Sequence, residues 1–324
     1  MALMVVLWIL VLLTALAMEF VSAMKTEVHT TRNYKEDIES YNLAKAGINL
    51  AMAELMKTAQ FHSYNSTYGF IVGKVPPQDN SPTIMNQANL INQPNAPGET
   101  PAAFDIIQRA DIPLGVGTVS YTIQDENGKV NLNKASRELL IKVLTASGVE
   151  VGERQDIIAD SILDWIDRDE NFHLNGAESA YYQTLNPPYK SKNSEFYSVD
   201  ELIMVKGVTQ EILYGSAQTE AENTLLGLDK FLTVLNTNFV NPNTASFQLL
   251  LLYYPQNQAN TIIAAREEKG YFNNTVSTHF KITSTGRINN SKTNHTISAI
   301  IEKLGNANNA TLLVRYWNDN TTNL

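Results

Sequence analysis

The feature that most constrains this 324-residue chain is its beginning, which carries no charge from Met1 to Met18 and no glycine or proline before Gly47. A helix rises about 1.5 Å per residue, so 18 to 24 residues span about 27 to 36 Å, the thickness of the hydrocarbon core of a bilayer. We therefore predict one continuous helix over residues 1–58. Its first part, residues 1–24, is long and apolar enough to cross a membrane.

Beyond Lys25 the same helix changes character. Large apolar residues recur three, four and seven positions apart, with charged residues between them, at Tyr34, Ile38, Tyr41, Ile48, Met52 and Leu55. This pattern predicts an amphipathic half, residues 25–58, that packs on a soluble domain. The alternative is a secretory signal peptide cut after Val21-Ser22-Ala23. The missing basic segment and the length of the apolar run argue against that alternative.

Composition excludes several classes of site. The chain has no cysteine, which rules out disulfides, thiolate zinc sites and cysteine nucleophiles. The net charge is −9, and its excess lies in residues 125–272, where 21 acidic residues face 12 basic ones. A negative segment of this kind lacks the attraction for phosphates that nucleic-acid binding needs. Five scattered histidines and the absence of nucleophile-elbow, Walker and zinc-protease motifs predict no enzyme.

Strand patterns occur at two distant places. Residues 115–124 alternate apolar and polar side chains, and the pattern returns only in residues 280–288, 295–304 and 311–317. Because one or two isolated strands are marginal in water, we expect all four to form one antiparallel sheet. The sequence thus predicts an α+β fold with a discontinuous domain, residues 59–124 and 273–324, and an inserted domain, residues 125–272. The Asn- and Pro-rich residues 62–103 are predicted as loop.

The predicted insertion contains an internal repeat. Residues 130–136, Val-Asn-Leu-Asn-Lys-Ala-Ser, and residues 240–246, Val-Asn-Pro-Asn-Thr-Ala-Ser, share five of seven positions. Each reads as a helix start with Asn133 or Asn243 as the N-cap, so we predict two related helical halves. Apolar periods add helices at residues 157–166, 202–213 and 259–265. Val205-Lys206-Gly207-Val208 resembles the turn of a helix-hairpin-helix or SAM-like unit.

An acidic segment is the candidate metal site. Counted from Asp167, oxygen-bearing side chains fall at positions 1, 3, 5 and 12, as they do in a calcium loop. The sixth position is Phe172 instead of the usual glycine, so the sequence leaves open a different oxygen-rich calcium loop or a solvated acidic turn. His173 is interpreted as a surface residue. The predicted calcium ligands are Asp164, Asp167, Asp169, Asn171 and Glu178.

In this order, several segments resemble the K-type minor pseudopilin of bacterial type II secretion systems. They are the apolar start, Asn127-Gly-Lys-Val-Asn-Leu-Asn133, Asp164-Trp-Ile-Asp167, Gly176-Ala-Glu178, Leu185-Asn-Pro-Pro-Tyr189, Ser198-Val-Asp-Glu-Leu202 and Val205-Lys-Gly-Val208. The resemblance implies a type IV pilin-like fold, calcium in the helical domain, and cleavage by a prepilin peptidase immediately before Met1. It also implies one pass through the bacterial inner membrane, with the bulk of the chain in the periplasm.

The function that the resemblance implies is structural. Pilins usually carry glutamate at mature position five, whereas this chain has Val5, as K-type subunits do. That fits a subunit at the tip of the periplasmic pseudopilus, which starts its assembly and supports export of folded proteins across the outer membrane. The expected partners are I-type, J-type and H-type minor pseudopilins, the inner-membrane secretion platform and membrane lipid, without nucleic acid. The expected membrane and assembly residues of the helix are Leu7, Leu10, Leu13, Val28, Ile38 and Ile48.

Two other functions are compatible with the sequence. A tip minor pilin of a type IV pilus would share the N-terminal helix, although the 110-residue repeat spacing is unusual there. A membrane-anchored periplasmic binding protein would instead use the acidic domain to capture a cation or a basic ligand.

Overall fold

The computed structural model describes residues 1–56, 61–65, 69–73, 109–216, 224–235, 237, 239–273, 275–305 and 309–319. They form a mixed helix and antiparallel-sheet fold with a long N-terminal helix, so the predicted α+β class is confirmed. The buried apolar side chains make two clusters, one where the first helix meets the sheet and one among the later helices.

Helix α1 runs from Ala2 to Met56, which confirms the predicted continuous helix; residues 57 and 58 lie outside the described residues. Of its 55 residues, those before Ser40 are almost all exposed. Only the last part packs on the rest of the chain, through residues three or four positions apart: Ser40, Leu43, Ala44, Gly47, Ile48, Ala51, Glu54 and Leu55.

The main sheet has five antiparallel strands in the order β3-β4-β7-β8-β9. Four of them confirm the predicted strands, and they are β4 (Gly117–Asp125), β7 (His279–Ile288), β8 (Asn294–Leu304) and β9 (Thr311–Asn318). The edge strand β3 (Ile112–Leu114) was not predicted, because three residues are too few to show an alternating pattern. Strands β4 and β7 pair without interruption from Gly117 opposite Ile288 to Asp125 opposite Phe280.

A small hairpin corrects part of the predicted loop. Strands β1 (Phe61–Asn65) and β2 (Gly69–Gly73) pair with each other within residues that the sequence assigns to loop. Residues 74–103 of that predicted loop lie outside the described residues. His62 of β1 is fully buried between aromatic rings, with ring centroids 4.7 Å from Phe280 and 5.8 Å from Phe70.

Helix α1 approaches the sheet through small residues. A Cβ added to Gly286 of β7 would lie 2.5 Å from the backbone nitrogen of Ala44 and collide with the carbonyl oxygen of Ser40. A Cβ on Gly47 would collide with Ser284 in the same strand. The predicted apolar face is confirmed in the last part of the helix, where Ile48 and Leu55 are buried and Tyr41 and Met52 pack against the same core. It is wrong before residue 40, where Tyr34 and Ile38 are exposed.

The chain between β4 and β7 folds mainly as helices around the second core. These are α2 (Arg137–Ala146), α3 (Glu153–Ile166), α4 (Ser179–Tyr182), α5 (Gln210–Tyr214), α6 (Phe247–Tyr253) and α7 (Gln256–Lys269), with a 3-10 turn at Val199–Met204. Two parallel two-residue strands, β5 (Val130–Asn131) and β6 (Leu232–Thr233), also occur there. The sequence predicts an all-helical segment, and these two short strands correct that prediction.

Polar side chains join the two ends of this segment. The buried carboxylate of Asp125 accepts hydrogen bonds from Asn241, at 3.1 Å, from Thr244, at 2.5 Å, and from Ser277. The side-chain oxygen of Asn127 accepts the backbone N–H groups of Thr278, at 3.0 Å, and His279, at 2.9 Å. The chain thus leaves the sheet and returns to it through one hydrogen-bonded neck.

The repeat begins helices three residues later than predicted. Ser136 caps α2 and Ser246 caps α6, each accepting the N–H of the residue three positions on. Asn133 instead brackets Phe196, accepting its N–H at 2.8 Å and donating to its carbonyl at 3.1 Å. Asn243 holds Phe272 and the residue after it in the same manner. The N-cap assignments to both asparagines are therefore wrong, because these side chains join distant segments.

We expect Gly286→Ala to destabilise the protein by about 1–3 kcal/mol, since the added methyl group forces the backbone of α1 away from the sheet. Urea unfolding of the full chain in detergent, followed by circular dichroism, measures the effect. Arg287→Ala, on the exposed side of the same strand, is the matched control and should change stability little. Equal stability of Gly286→Ala and the control would contradict the close contact.

His62 predicts a pH dependence. Burial lowers its pKa to about 3, and neither ring nitrogen has a hydrogen-bond partner among the described residues. The unfolded chain takes up a proton near pH 6.5, so this residue reduces stability as the pH falls from about 6.5 towards 3. We expect His62→Phe to melt higher than the parent at pH 5, with a smaller difference at pH 7.5. His29→Gln, at an exposed position, should show no such pH-dependent gap.

Candidate metal centre

The candidate metal centre begins on α3. Its last two turns place Asp160 and Asp164 on one side, four residues apart, and both are buried. Asp160 is neutralised by Arg137, whose Nε lies 2.6 Å from its carboxylate, and it also accepts the side chain of Asn175 at 3.1 Å. Among the described residues Asp164 forms no ion pair with an arginine or a lysine, and its partner is the imidazole of His173.

The loop after α3 turns back onto Asp164. The backbone N–H of His173 donates to the carboxylate of Asp164 at 3.0 Å, and its Nδ1 makes a short contact with the same oxygen. This hydrogen bond raises the pKa of His173. Oxygen or nitrogen atoms of Asp164, Asp167 and His173 lie within 4.8 Å of one another, close enough to share one ion. The close packing of the loop needs Gly176, since a Cβ there would collide with the carboxylate of Asp164.

Glu178 supplies a further carboxylate to this acidic cluster. Its side chain is only 3% exposed; the hydroxyl of Ser191 lies close enough to lower its pKa, but neither carboxylate oxygen makes a hydrogen bond of normal geometry among the described residues. One buried oxygen of Asp167 is also without a partner there. Burial, with the negative charges of Asp164 and Asp167, raises the pKa of Glu178 to about 7. Burial also raises the pKa of Asp167.

Buried carboxylates without donors are costly unless a cation balances them. Oxygen ligands of this kind suit hard divalent cations such as calcium. Asp164 and Asp167 fit such an ion, with the imidazole of His173 beside them. Glu178 lies outside that group and is a candidate further ligand, because its buried carboxylate feels the charges of Asp164 and Asp167. An imidazole is more typical of zinc or another transition metal, and here its Nδ1 is already engaged with Asp164.

Two of the predicted ligands lie differently. Asp169 and Asn171 are exposed, and the carboxylate of Asp169 accepts the N–H of Asn171 at 2.8 Å. This local turn explains their spacing without an ion. The group of carboxylates and imidazoles close enough to share an ion among the described residues holds Asp164, Asp167 and His173, and neither Asp169 nor Glu178. Asp169, Asn171 and Glu178 as calcium ligands therefore stay predictions from the twelve-residue count.

Sequence reasoning missed three residues around the centre. His173 is exposed, as the sequence predicted, but its imidazole also contacts Asp164, which no pattern indicated. Glu170 accepts the hydroxyl of Ser179 at 2.9 Å and the side chain of Asn193 at 3.1 Å, which ties the loop to the following segment. The buried side-chain oxygen of Asn193 has no partner among the described residues. Asn193 comes from a distant part of the sequence, so no spacing pattern could have indicated it.

The predicted assembly residues of α1 fall into two groups. The side chains of Leu7, Leu10, Leu13, Val28 and Ile38 are exposed, between 42% and 63%. Ile48 is fully buried in the chain's own core against the sheet. Ile48 therefore cannot line a contact with the helix of another subunit, and that part of the prediction is wrong. Within the described residues, α1 is one helix apolar and long enough to cross a membrane.

The family model for type II secretion system protein K matches residues 119–215, a segment that includes β4, α3 and the acidic cluster. The resemblance to protein K is confirmed. Protein K of Aeromonas hydrophila is 29% identical over 185 residues, which cover 51% of this chain and 54% of that protein. Protein K of Pseudomonas aeruginosa is 28% identical over 167 residues, covering 48% of this chain and 46% of that protein.

The chain spans about half the length of these curated relatives. A solved structure also has a similar fold: one chain in the crystal structure of the GspK-GspI-GspJ complex from enterotoxigenic Escherichia coli, with a TM-score of 0.56 and 17% identity. The match covers 90% of this chain and all of that one. At this identity the likeness shows that the two chains share a fold.

We expect the mutation Glu178→Gln to change the melting temperature in opposite directions with and without calcium. In a chelating buffer at pH 8, we expect Glu178→Gln to melt higher than the parent, because it removes a buried negative charge. With calcium added, the parent should melt higher, because only it keeps the full set of charged ligands. Differential scanning fluorimetry measures both.

The matched control is Glu195→Gln, which makes the same change at an exposed glutamate of the same helical segment. It should not change the calcium dependence of melting. Equal calcium-dependent shifts in Glu178→Gln and the parent would count against Glu178 as a ligand.

Proposed function

We propose that this protein is a minor pseudopilin of a type II secretion system, anchored in the inner membrane by the first part of α1, with the rest of the chain in the periplasm. The family match of residues 119–215 to protein K supports this proposal. The observation that carries it is the bare length of α1. Its first 38 residues are almost all exposed, and the sheet touches them near their end through polar contacts of Glu36, with Ser291 and Thr293, and of Asp37, with His295.

A bilayer accounts for only part of that exposed length. Thirty-eight helical residues span about 57 Å, and a hydrocarbon core is about 30 Å thick. The segment beyond the membrane still exposes Val28, Tyr34 and Ile38, at 63%, 68% and 42%. Three large apolar side chains on a bare helix favour burial against other helices. Other pilin-like subunits supply helices of the required kind.

The proposed partners are I-type and J-type minor pseudopilins, with an H-type subunit and the inner-membrane platform as further contacts. The similar solved structure is that of a complex of GspK, GspI and GspJ. That complex is the neighbour's. For this chain, the exposed face of α1 supports an equivalent bundle of helices.

We place the subunit at the tip of the periplasmic pseudopilus, where it would start assembly and support export of folded proteins across the outer membrane. Residues 126–278 emerge between two neighbouring strands of the sheet. We treat residues 125–272 as an inserted domain in a type IV pilin-like fold. A segment of this bulk on every subunit would obstruct close stacking, whereas a subunit with nothing above it has room for it.

The acidic cluster has a structural role in this proposal. A calcium ion held by Asp164, Asp167 and Glu178 would supply the positive charge that these buried carboxylates lack. It would link the end of α3 to the start of α4 and so fix the loop between them. The proposed function needs no reaction at this site.

The proposal predicts that Leu10→Lys or Ile38→Lys abolishes secretion while the soluble part of the chain stays folded. A lysine at the centre of a membrane helix costs about 2.5–3.5 kcal/mol, and one at residue 38 places a charge in the proposed helix bundle. Secretion is measured by complementing a strain that lacks the corresponding gene. Co-purification with other pseudopilins reports assembly.

Thr30→Lys is the matched control, since it adds the same charge at an exposed polar position of the same helix. It should preserve secretion. Normal secretion by the Ile38→Lys variant would contradict the proposed bundle. Circular dichroism of the variant checks that the soluble part of the chain is still folded.

A further inference from the structure

The turn Val205–Val208, which the sequence likens to a helix-hairpin-helix, packs against α3. Gly207 has φ of +87°, a conformation that favours glycine. A Cβ at this position would lie 2.9 Å from Ile158 and 3.1 Å from Ile157. Both isoleucines belong to the helix that carries Asp164. The turn is therefore fixed to the same helix as the acidic cluster.

Lys206 of this turn holds the chain just before Glu178. Its ammonium donates hydrogen bonds to the carbonyl oxygens of Asn175, at 3.2 Å, and Gly176, at 3.0 Å. The same ammonium lies 5.1 Å from the ring centroid of Tyr181, on the face side that attracts cations. The ammonium of Lys206 thus joins the loop before Glu178 to the ring of Tyr181 after it.

The backbone of Lys206 holds the chain just after Glu178. Its N–H group donates to the hydroxyl of Tyr182 at 3.3 Å, and Tyr182 is a fully buried residue at the end of α4. Glu178 lies between these two attachment points, two residues after Gly176 and four before Tyr182. One residue therefore brackets the buried carboxylate from both sides in sequence.

We propose that Lys206 is a positioning residue for Glu178: it fixes the loop and the helix on either side so that the buried carboxylate stays with Asp164 and Asp167. This inference rests on the proposed cation site. Among the described residues, Lys206 makes no hydrogen bond with the carboxylate of Glu178. Its ammonium donates to the backbone carbonyl oxygens of Asn175 and Gly176, which hold the loop before Glu178 in place. The turn resembles that of a helix-hairpin-helix unit in sequence, but its lysine makes contacts within the protein.

The test is calcium affinity measured by isothermal titration calorimetry on the full chain in detergent, with calcium as the added ion. Loss of a residue that orients a metal ligand typically weakens metal binding about 10- to 100-fold, and we expect this loss in Lys206→Met. Lys206→Arg keeps donors for the two carbonyl groups and should recover most of the affinity. Lys142→Met, which removes a lysine paired with Glu138, is the control for charge alone.

The direction of the change separates positioning from simple charge. Removing a positive charge near a cation site strengthens calcium binding on electrostatic grounds. Tighter or unchanged binding by Lys206→Met would therefore overturn the inference. If the parent protein itself bound no calcium, the proposed cation site would fail first, and that result is distinguishable because it needs no variant.

Folding of the variants is checked by circular dichroism and by melting in chelator. If Lys206→Met does not fold, Tyr182→Phe removes the acceptor of the Lys206 N–H while keeping the buried ring. We expect weaker calcium binding by Tyr182→Phe, and unchanged binding would overturn the bracketing of Glu178.

Discussion

The pairing of β4 with β7 is the constraint on which the rest of the structure depends. These strands are separated by more than 150 residues in the chain, yet they pair over nine consecutive residues. Everything between them must leave and return at one end of the sheet, at Asp125 and Phe280. Helix α1 then crosses the sheet formed by this pairing, and the glycine at position 286 of β7 sets how closely it approaches. Without β4 next to β7, α1 would lack the sheet surface on which it packs, and the helical segment would lack the hydrogen-bonded neck at Asp125 and Asn127.

A second constraint is electrostatic and local. The helical segment buries acidic side chains in two ways that differ in their partners. Asp160 is neutralised by Arg137 and accepts a hydrogen bond from Asn175, whereas buried Glu178 has the Ser191 hydroxyl nearby but no ion pair among the described residues. The first arrangement is complete within the chain. The second is unfavourable for the protein alone, which is the physical reason for assigning a cation there and not at Asp160.

The sequence predicted the features that repeat with a regular period and missed those that depend on distant contacts. The charge-free start and the alternation of strands β4, β7, β8 and β9 are local patterns, so α1 and most of the sheet were predicted correctly. Asn133 was assigned as a helix cap because its local sequence permits one, but its side chain is used 63 residues away, at Phe196. The apolar pattern of α1 found part of its packed face, Ile48 and Leu55, but it could not show that the closest contact with the sheet is made at Gly47, because a small residue gives no apolar signal. His173 joined the cluster only because the loop folds back onto α3.

The two cores give the protein a division of roles that follows from its connectivity. The cluster around α1 and the sheet and the cluster among the later helices share no buried residue, and the neck at Asp125 and Asn127 joins them. The acidic cluster belongs to the second core, because Trp165 and Tyr182 beside it are among that core's buried residues. The exposed length of α1 belongs to the first. The proposed cation between α3 and α4 would therefore act on the second core alone, while the contact of α1 with the sheet depends on the first.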